Sequence, residues 1–450
     1  MKSLFPYQRK VKRWALERKH SALFLEMRLG KTVITISTVL SYAIRERKKI
    51  LVITPYSAMQ GWRNELRDAR QFAIREVTGT RAQRVKRLNR IRKERNTDYS
   101  IWCIVNPEIH RSIDIDKIGW DVVIFDESPY IKNPKSKMTK YYLRSFRLAK
   151  HRFILSGLPA PESELEYFTQ CKFCEPDTFY ERNYYEFRFA NFSQFGYNWK
   201  IRPAGKRYVS RQLSKYCYFL TRENVKLGKR KIYETRDIAL PEKLKKLYNK
   251  ILIEWVYETR EYEYEIAFQI EQYAELKRIS GGIDKENNII SDYKMQAIEQ
   301  LLKTELSVPR LIIYAHFVNE VNALYAQLSK HYHCEKVYGA VPPQRRTAAI
   351  ESIRTSPGIL IAQPSTMRYG ADLSFIDTMI FYSTPESLEQ RAQAEDRIVN
   401  VKRAGAPLVV DILGRGTVDE KIYKALRKKK NKYEMMRDII QDLQNEIMYN

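Results

Sequence analysis

The sequence predicts an α/β fold built on parallel sheet, and three observations carry the prediction. Five short apolar runs recur in the first half: "ALFLEM" (22–27), "KILVITP" (49–55), "YSIWCIV" (99–105), "WDVVIFDE" (120–127) and "HRFILSG" (151–157). Stretches of helical period separate them, the pattern of a parallel sheet covered on both faces. Polar clusters then fall where runs end: Gly30-Lys31-Thr32, Asp126-Glu127 and Ser156-Gly157. Ligands of such sheets bind at the carboxyl ends of the strands.

Each element follows from its residues. The first strand runs into "LEMRLGKT" (25–32), and "KTVITISTVLSYAIRERK" reads as the helix after it. Pro55 stops the second strand, and "SAMQGWRNELRDA" is an amphipathic helix. The fourth strand delivers two carboxylates, and Ser128-Pro129 starts a helix after it. The fifth ends in Ser156-Gly157.

Bulk properties narrow the classes. At 450 residues the chain is long enough for two or three domains, and 44% hydrophobic with 30% charged residues is ordinary globular composition. No apolar run approaches the ~20 residues that span a bilayer, and "MKSLFPYQRK" lacks the apolar core of a signal peptide. Five cysteines point to a reducing compartment rather than a disulfide scaffold, so the expected location is cytoplasmic. Lys and Arg number 80 against 53 Asp and Glu, a net charge of +27. That excess calls for a polyanionic partner, most simply nucleic acid. It concentrates in "RAQRVKRLNRIRKER" (81–95) and "KALRKKKNK" (424–432), which read as parts of a phosphate-tracking surface or as solvated helix faces.

Gly-Lys-Thr opening a helix has a mechanical reading. Helix-start N–H groups and the helix dipole attract phosphate. Lys31 would reach the outer phosphates and the Thr32 hydroxyl would ligate Mg²⁺. A strict phosphate loop wants glycine at position 25, which is Leu25 here. "VVIFDES" supplies the usual partner: Asp126 to hold Mg²⁺ through water, Glu127 to orient or deprotonate an attacking water.

In order, "LEMRLGKT", "ITPYSAMQGWRNE", "DESPYIKNP" and "LSGLPAP" resemble motifs I, Ia, II and III of superfamily 2 helicase-like ATPases, specifically the Swi/Snf-type branch. That family's loop also lacks the early glycine. "FPYQRKVKRWAL" (5–16) is similar to its opening helix, in which Gln8 would read adenine. "RLIIYAHF" (310–317), "ILIAQPSTMRYGADLS" (359–374) and "EQRAQAEDRIVNVKR" (389–403) resemble motifs IV, V and VI. The resemblance implies two RecA-like parallel-sheet lobes, with an α-helical, aromatic insertion between them, that sandwich ATP and step along duplex DNA. It implies Gln393 and the arginine finger Arg397 in motif VI as catalytic with Lys31, Asp126 and Glu127. It further implies nucleotide contacts from Gly30, Gly370 and Asp372, coupling through Ser156 and Gly157, and nucleic-acid contacts from Ser365 and Thr366.

Several residues depart from the family pattern. Arg28 replaces a loop glycine, either adding a phosphate contact or pointing to solvent. Pro129 replaces the His of motif II, whose role is to couple ATP state to motif III, and Leu158 replaces a Thr. Met367 and Arg368 replace glycines of motif V. Val399 and Asn400 stand where motif VI has His and its second arginine, for which Lys402 or Arg403 would have to compensate.

The expected organisation is a first lobe over 1–159, an aromatic and basic insertion over 160–240, a helical bridge over 241–290, a second lobe over 291–420 and a basic C-terminal helix over 421–450. The insertion's aromatics suit base stacking or a small core, with Arg202, Lys206 and Arg207 outside to meet nucleic acid. "CKFC" (171–174) reads as a helix ending before Pro176 rather than a zinc site, for want of a second such pair. The functional expectation is a monomeric, phage-type ATPase using ATP and Mg²⁺ on duplex, branched or forked DNA, with no membrane partner. It would drive branch migration or fork remodelling in recombination, repair or replication. The alternatives are displacement of DNA-bound proteins such as polymerase, a nucleic-acid-binding scaffold with weak ATPase, and an RNA helicase.

Overall fold

A computed structural model describes residues 3–43, 48–67, 72–94, 99–111, 113–195, 198–227, 230–261, 266–306, 310–367, 372–400, 403 and 405–428. The chain forms two compact units, Met1–Leu227 and Gly228–Asn450.

Among the described residues, the first unit holds a seven-stranded sheet. Its strands are β1 (His20–Leu25), β2 (Lys49–Ile53), β3 (Phe72–Glu76), β4 (Ser100–Val105), β5 (Val122–Asp126) and β6 (His151–Ser156). A separate antiparallel hairpin of β7 (Phe192–Phe195) and β8 (Asn198–Ile201) follows, and then β9 (Cys217–Leu220) closes the sheet. The order is β3-β4-β2-β5-β6-β1-β9, with every pair parallel. Side chains alternate between two cores. Leu51, Ile53, Val123 and Phe125 enter one; Ile50, Val52, Val122 and Ile124 enter the other. A strand buried on both faces takes mostly apolar residues, which is why the interior strands read as nearly continuous apolar runs; the buried polar exceptions include Ser21, Ser100 and Arg152. The two strands that did not read so are the sheet's edges. β3 is half-buried and carries Arg75 and Glu76, and β9 has four residues.

Register fixes where the strands stop. Asp126 pairs with Leu155, and Ser156 pairs with Phe24, so β1, β5 and β6 end at one level.

The second unit is again parallel. Its six strands are β10 (Ile232–Ile238), β11 (Arg310–Tyr314), β12 (Cys334–Val337), β13 (Gly358–Ala362), β14 (Thr378–Phe381) and β15 (Leu408–Gly414), in the order β10-β15-β14-β11-β13-β12 among the described residues. The stretch 160–240 is therefore shared: β9 belongs to the first sheet and β10 to the second. The helices Glu242–Glu261 and Ile266–Ser280 pack on the helix Val418–Arg427 through Leu244, Tyr248, Leu276, Ile422 and Leu426. Most of the expected C-terminal helix, 429–450, lies outside the described residues.

His20 opens β1, and its Nδ1 accepts the backbone N–H of Arg152 at 3.1 Å. Burial, and then the Arg152 guanidinium beside it, push its pKa down to about 4. An imidazole held below its ordinary value resists protonation in the folded state only, so folding binds fewer protons. The stabilisation is complete above about pH 6.5 and is lost as pH falls towards 4. Thermal melts at pH 7 and pH 5 check this: the melting temperature should drop with acid, and drop less in His20→Gln.

Candidate active site

The loop between β1 and the helix Lys31–Ala43 is held from two sides. From one side comes the helix Pro6–Leu16. Its Gln8, 7% exposed, donates from Nε2 to the Leu29 carbonyl at 3.2 Å and accepts the Phe5 N–H on Oε1 at 3.0 Å. Gly30 has φ 82°, and a Cβ there would sit 2.4 Å from Gln8 Nε2. Only glycine meets both the backbone angle and the space. From the other side comes the end of β6. A Cβ on Gly157 would lie 3.2 Å from Met27 Cγ and 3.4 Å from Lys31 Nζ. The Lys31 ammonium itself donates to the Leu25 carbonyl at 2.9 Å, across the mouth of the loop.

Arg28 is exposed and takes φ 71°. A left-handed backbone costs an L-residue about 1–2 kcal/mol, so the loop keeps a glycine's conformation where this chain lacks the glycine.

Asp126 ends β5 with both carboxylate oxygens anchored. Oδ2 accepts from Thr54 Oγ1 at 3.0 Å and from Trp62 Nε1 at 2.8 Å, and Oδ1 accepts the Glu127 N–H at 3.1 Å. Thr54 follows β2, and Trp62 lies on the helix Met59–Arg67. Both are buried, so they fix one orientation of the acid. Glu127 is left-handed at φ 56° and turns the chain out of the strand. Sequence reading passed over Thr54 and Trp62 as positioning residues. The signal was present in Pro55, Ser57 and Trp62 of "ITPYSAMQGWRNE", but nothing in that stretch says which acid the tryptophan serves.

Motif II connects to the β6 end by a route not foreseen. Ser128 Oγ donates to Gln170 Oε1 at 2.6 Å, and Gln170 Nε2 donates to the Pro159 carbonyl at 2.7 Å and the Glu166 carbonyl at 2.8 Å. Ser128 and Gln170 are both fully buried. Gln170 lies on the helix Tyr167–Cys174, the "CKFC" helix, whose cysteines are buried with Cys171 Sγ 3.9 Å from Cys217 Sγ. Ser156 Oγ accepts the Leu158 N–H at 3.1 Å and shapes the same turn.

These residues fit a magnesium nucleoside triphosphate. A lysine and a helix start border the loop, and a hydroxyl (Thr32) and an anchored carboxylate (Asp126) would supply hard oxygen ligands of the kind Mg²⁺ prefers.

In the second unit, Gln393 and Arg397 lie on the helix Leu388–Arg397. A buried charge network seats that helix. Arg391 pairs with Asp411 and with Glu395, and Lys231 bonds Glu395 at 3.0 Å and Asp396 at 2.9 Å. Burial raises the Glu395 carboxyl, but Arg391 and Lys231 outweigh it and hold its pKa at about 2. Gln393 Nε2 donates to Glu389 Oε1 at 3.1 Å, and the Arg397 side chain is buried at 3% exposure. Asn400 Nδ2 donates to the Ser374 carbonyl at 3.2 Å. Arg403 donates to the carbonyls of Ser374 at 2.7 Å and Ile376 at 2.8 Å, so its guanidinium is occupied in tying that turn. Lys402, Arg368 and Gly370 lie outside the described residues. Asp372 is exposed and accepts the Ser374 N–H at 3.0 Å. Ser365 and Thr366 follow the carboxyl end of β13; Ser365 is exposed, and Thr366 Oγ1 donates to the Gln363 carbonyl at 2.8 Å.

Of the basic residues expected on the outside, Lys206 and Arg207 are exposed on the helix Pro203–Tyr216. Arg202 is also exposed, but its guanidinium donates to the Ala190 carbonyl at 2.5 Å and to that of Phe189, tying down the end of the helix Tyr184–Asn191.

Residues 7–300 match the SNF2-related domain, and residues 293–402 match the helicase conserved C-terminal domain. The chain belongs to the SNF2-related family, the Swi/Snf-type branch of helicase-like ATPases. It is similar to "Chromodomain-helicase-DNA-binding protein 1-like" of Mus musculus, 23% identical over 89% of this chain and 46% of the relative. It is similar to "DNA annealing helicase and endonuclease ZRANB3" of Homo sapiens, 22% identical over 95% of this chain and 40% of the relative. "Putative protein p41" of Acyrthosiphon pisum secondary endosymbiont phage 1 is 25% identical over 92% of this chain and 94% of the relative. The chain thus spans less than half the length of the mouse and human relatives. The solved "Sulfolobus solfataricus SWI2/SNF2 ATPase core in complex with dsDNA" aligns over 98% of this chain and 94% of that one, at TM-score 0.45 and 20% identity.

The Trp62 bond to Asp126 generates a direct prediction. Trp62→Phe keeps most of the buried ring and removes the donor. A hydrogen bond to a charged group contributes about 1.5–3 kcal/mol, and about 1.4 kcal/mol is tenfold in rate. Turnover of ATP should fall about tenfold or more while the melting temperature moves by a few degrees. Wild-type turnover in Trp62→Phe would show that the acid is oriented without it.

Proposed function

We propose that this chain is a DNA-dependent ATPase that translocates on duplex DNA and remodels branched or forked DNA, as in branch migration during recombination, repair or replication. The observation that carries the reading is the meeting of three strand ends in the first unit. Lys31 lies against Gly157, and Asp126 is oriented by Thr54 and Trp62 at the same level. Lys31 would hold the outer phosphates of ATP and Gly30 would let them approach the backbone. Thr32 and Asp126 would hold Mg²⁺, Glu127 would orient the attacking water, and Gln8 would read the base. Mg²⁺, when bound, neutralises developing phosphate charge. Gln393 and Arg397 are the second unit's proposed contributions to hydrolysis. Arg28 and Asp372 are proposed only as nucleotide neighbours, since both are exposed.

The net charge of +27 supports a polyanionic track. Ser365, Thr366, Lys206 and Arg207 are proposed contacts to it, with Arg202 acting through the helix end it ties. Among the described residues no helix is long and apolar enough to cross a membrane. The branched-DNA reading takes support from a relative whose printed name is an annealing helicase.

The test is ATP hydrolysis at one fixed salt concentration with no nucleic acid, single-stranded DNA, linear duplex, a four-way junction of equal total length, and RNA. The expected order is junction above duplex, with little from RNA. Equal stimulation by duplex and junction would favour protein displacement. No stimulation by any polymer would overturn the proposal.

A further inference from the structure

The helix Tyr184–Asn191 has two unlike faces. Phe187 and Asn191 point inward, and Phe187 meets Phe168 at 5.0 Å and Phe179 at 4.6 Å between ring centres. The outer face carries Tyr185 and Phe189, one turn apart and 47% and 60% exposed. A soluble surface ordinarily places charged residues at such positions, and a cluster of exposed rings marks a contact site. The hairpin of β7 and β8 adds Trp199, edge-on to Phe189 at 5.2 Å. The Arg188 guanidinium lies 4.2 Å from the Trp199 ring centre, 5.1 Å from that of Phe189 and 5.3 Å from that of Tyr185. Among the described residues Arg188 has no carboxylate partner, so its charge stays with the rings.

The stretch of chain that carries these rings is cationic, with Glu181 bonded to Asn191 on the helix's inner side. From 184 to 216, seven Lys or Arg stand against one acid, Glu186. Lys200, Lys206 and Arg207 are exposed there. Exposed rings with a guanidinium among them, on a stretch of chain rich in Lys and Arg, match the chemistry of an unpaired nucleotide: a flat base on a sugar-phosphate chain. A duplex hides its base faces in the stack and presents only edges and phosphate. The rings have nothing to gain from it.

We propose that Tyr185, Arg188, Phe189 and Trp199 form a stacking platform for unpaired nucleotides, so that this chain holds the single-stranded arm of a branched DNA outside its ATP site. The platform accounts for the exposed rings of Tyr185 and Phe189, which neither the ATP site nor the core uses, with Trp199 packed at the core's edge beside them. It rests on the reading of the chain as a DNA-acting enzyme, and it adds the chemistry by which a branch is told from a plain duplex.

The experiment measures binding by the full chain without ATP, using a short oligothymidylate that carries one 2-aminopurine, the same oligonucleotide as the unpaired arm of a forked duplex, and a blunt duplex. Stacking quenches 2-aminopurine. Base–aromatic stacking is sequence-tolerant and is strong enough that losing two rings should weaken single-strand and fork binding by about tenfold or more. The double variant Tyr185→Ala/Phe189→Ala should lose that affinity and the quenching, and keep its affinity for blunt duplex. Phe189→Trp should retain both, which separates stacking from damage to the fold. Unchanged fork affinity and quenching in the double variant would overturn the proposal and assign the rings to a protein contact. An equal loss on blunt duplex would overturn it too, since the surface would then serve phosphate alone. Because no hydrolysis is read, DNA binding without ATPase stimulation would defeat the proposed function and leave the platform standing.

Discussion

The first unit depends on three parallel strands that stop at one height. The pairing of Asp126 with Leu155 and of Ser156 with Phe24 brings the ends of β5, β6 and β1 level. A shift of one residue would turn every buried side chain to the opposite face of the sheet. Both faces are packed, so the register is held by the whole core and not by the site. The functional residues inherit that precision. Gly157 then closes the gap, since a Cβ at this position would press on Met27 and approach the Lys31 ammonium. What happens at the phosphate loop and what happens at the end of β6 are therefore mechanically joined.

The chain departs from its family where motif II has Pro129, and the structure shows what stands beside that departure. Ser128 and Gln170 make a buried bridge from the end of β5 to the Pro159 carbonyl beyond β6. A buried amide with both ends satisfied is stiff, because breaking either bond strands a polar group away from water. The end of β6 is thus tied to both neighbours, to the phosphate loop after β1 through Gly157 and to the end of β5 through Gln170. In the second unit the Arg391, Asp411, Glu395 and Lys231 network does similar work for the helix that carries Gln393 and Arg397.

The interior of the first sheet was legible because strands buried on both faces are built mostly of apolar residues. The edges β3 and β9 escaped because an edge strand needs apolar residues on neither face throughout. The loop, the acid pair and the Ser-Gly turn were legible because each ends a strand. Thr54, Trp62 and Gln170 were not, since their partners lie 72, 64 and 42 residues away along the chain and no local pattern encodes such a contact. Arg202 and Arg403 show the opposite failure. Composition presents them as free cations, whereas their guanidinium groups tie carbonyls at helix and turn ends. The aromatic insertion divided as its composition allowed, with Phe168, Phe179 and Phe187 inside and Tyr185 and Phe189 outside.

The proposed function requires the cradle between Gln8, Gly157 and Asp126 to bind Mg·ATP. Equilibrium titration calorimetry of ATP into the full chain, with Mg²⁺ and with chelator, and again with Lys31→Ala, tests it most directly. Binding should depend on Mg²⁺ and weaken at least about tenfold when the lysine is removed, because a charge-assisted bond from a partly buried ammonium to phosphate is worth more than ~1.4 kcal/mol. Equal affinity in the two proteins, or binding indifferent to Mg²⁺, would contradict it.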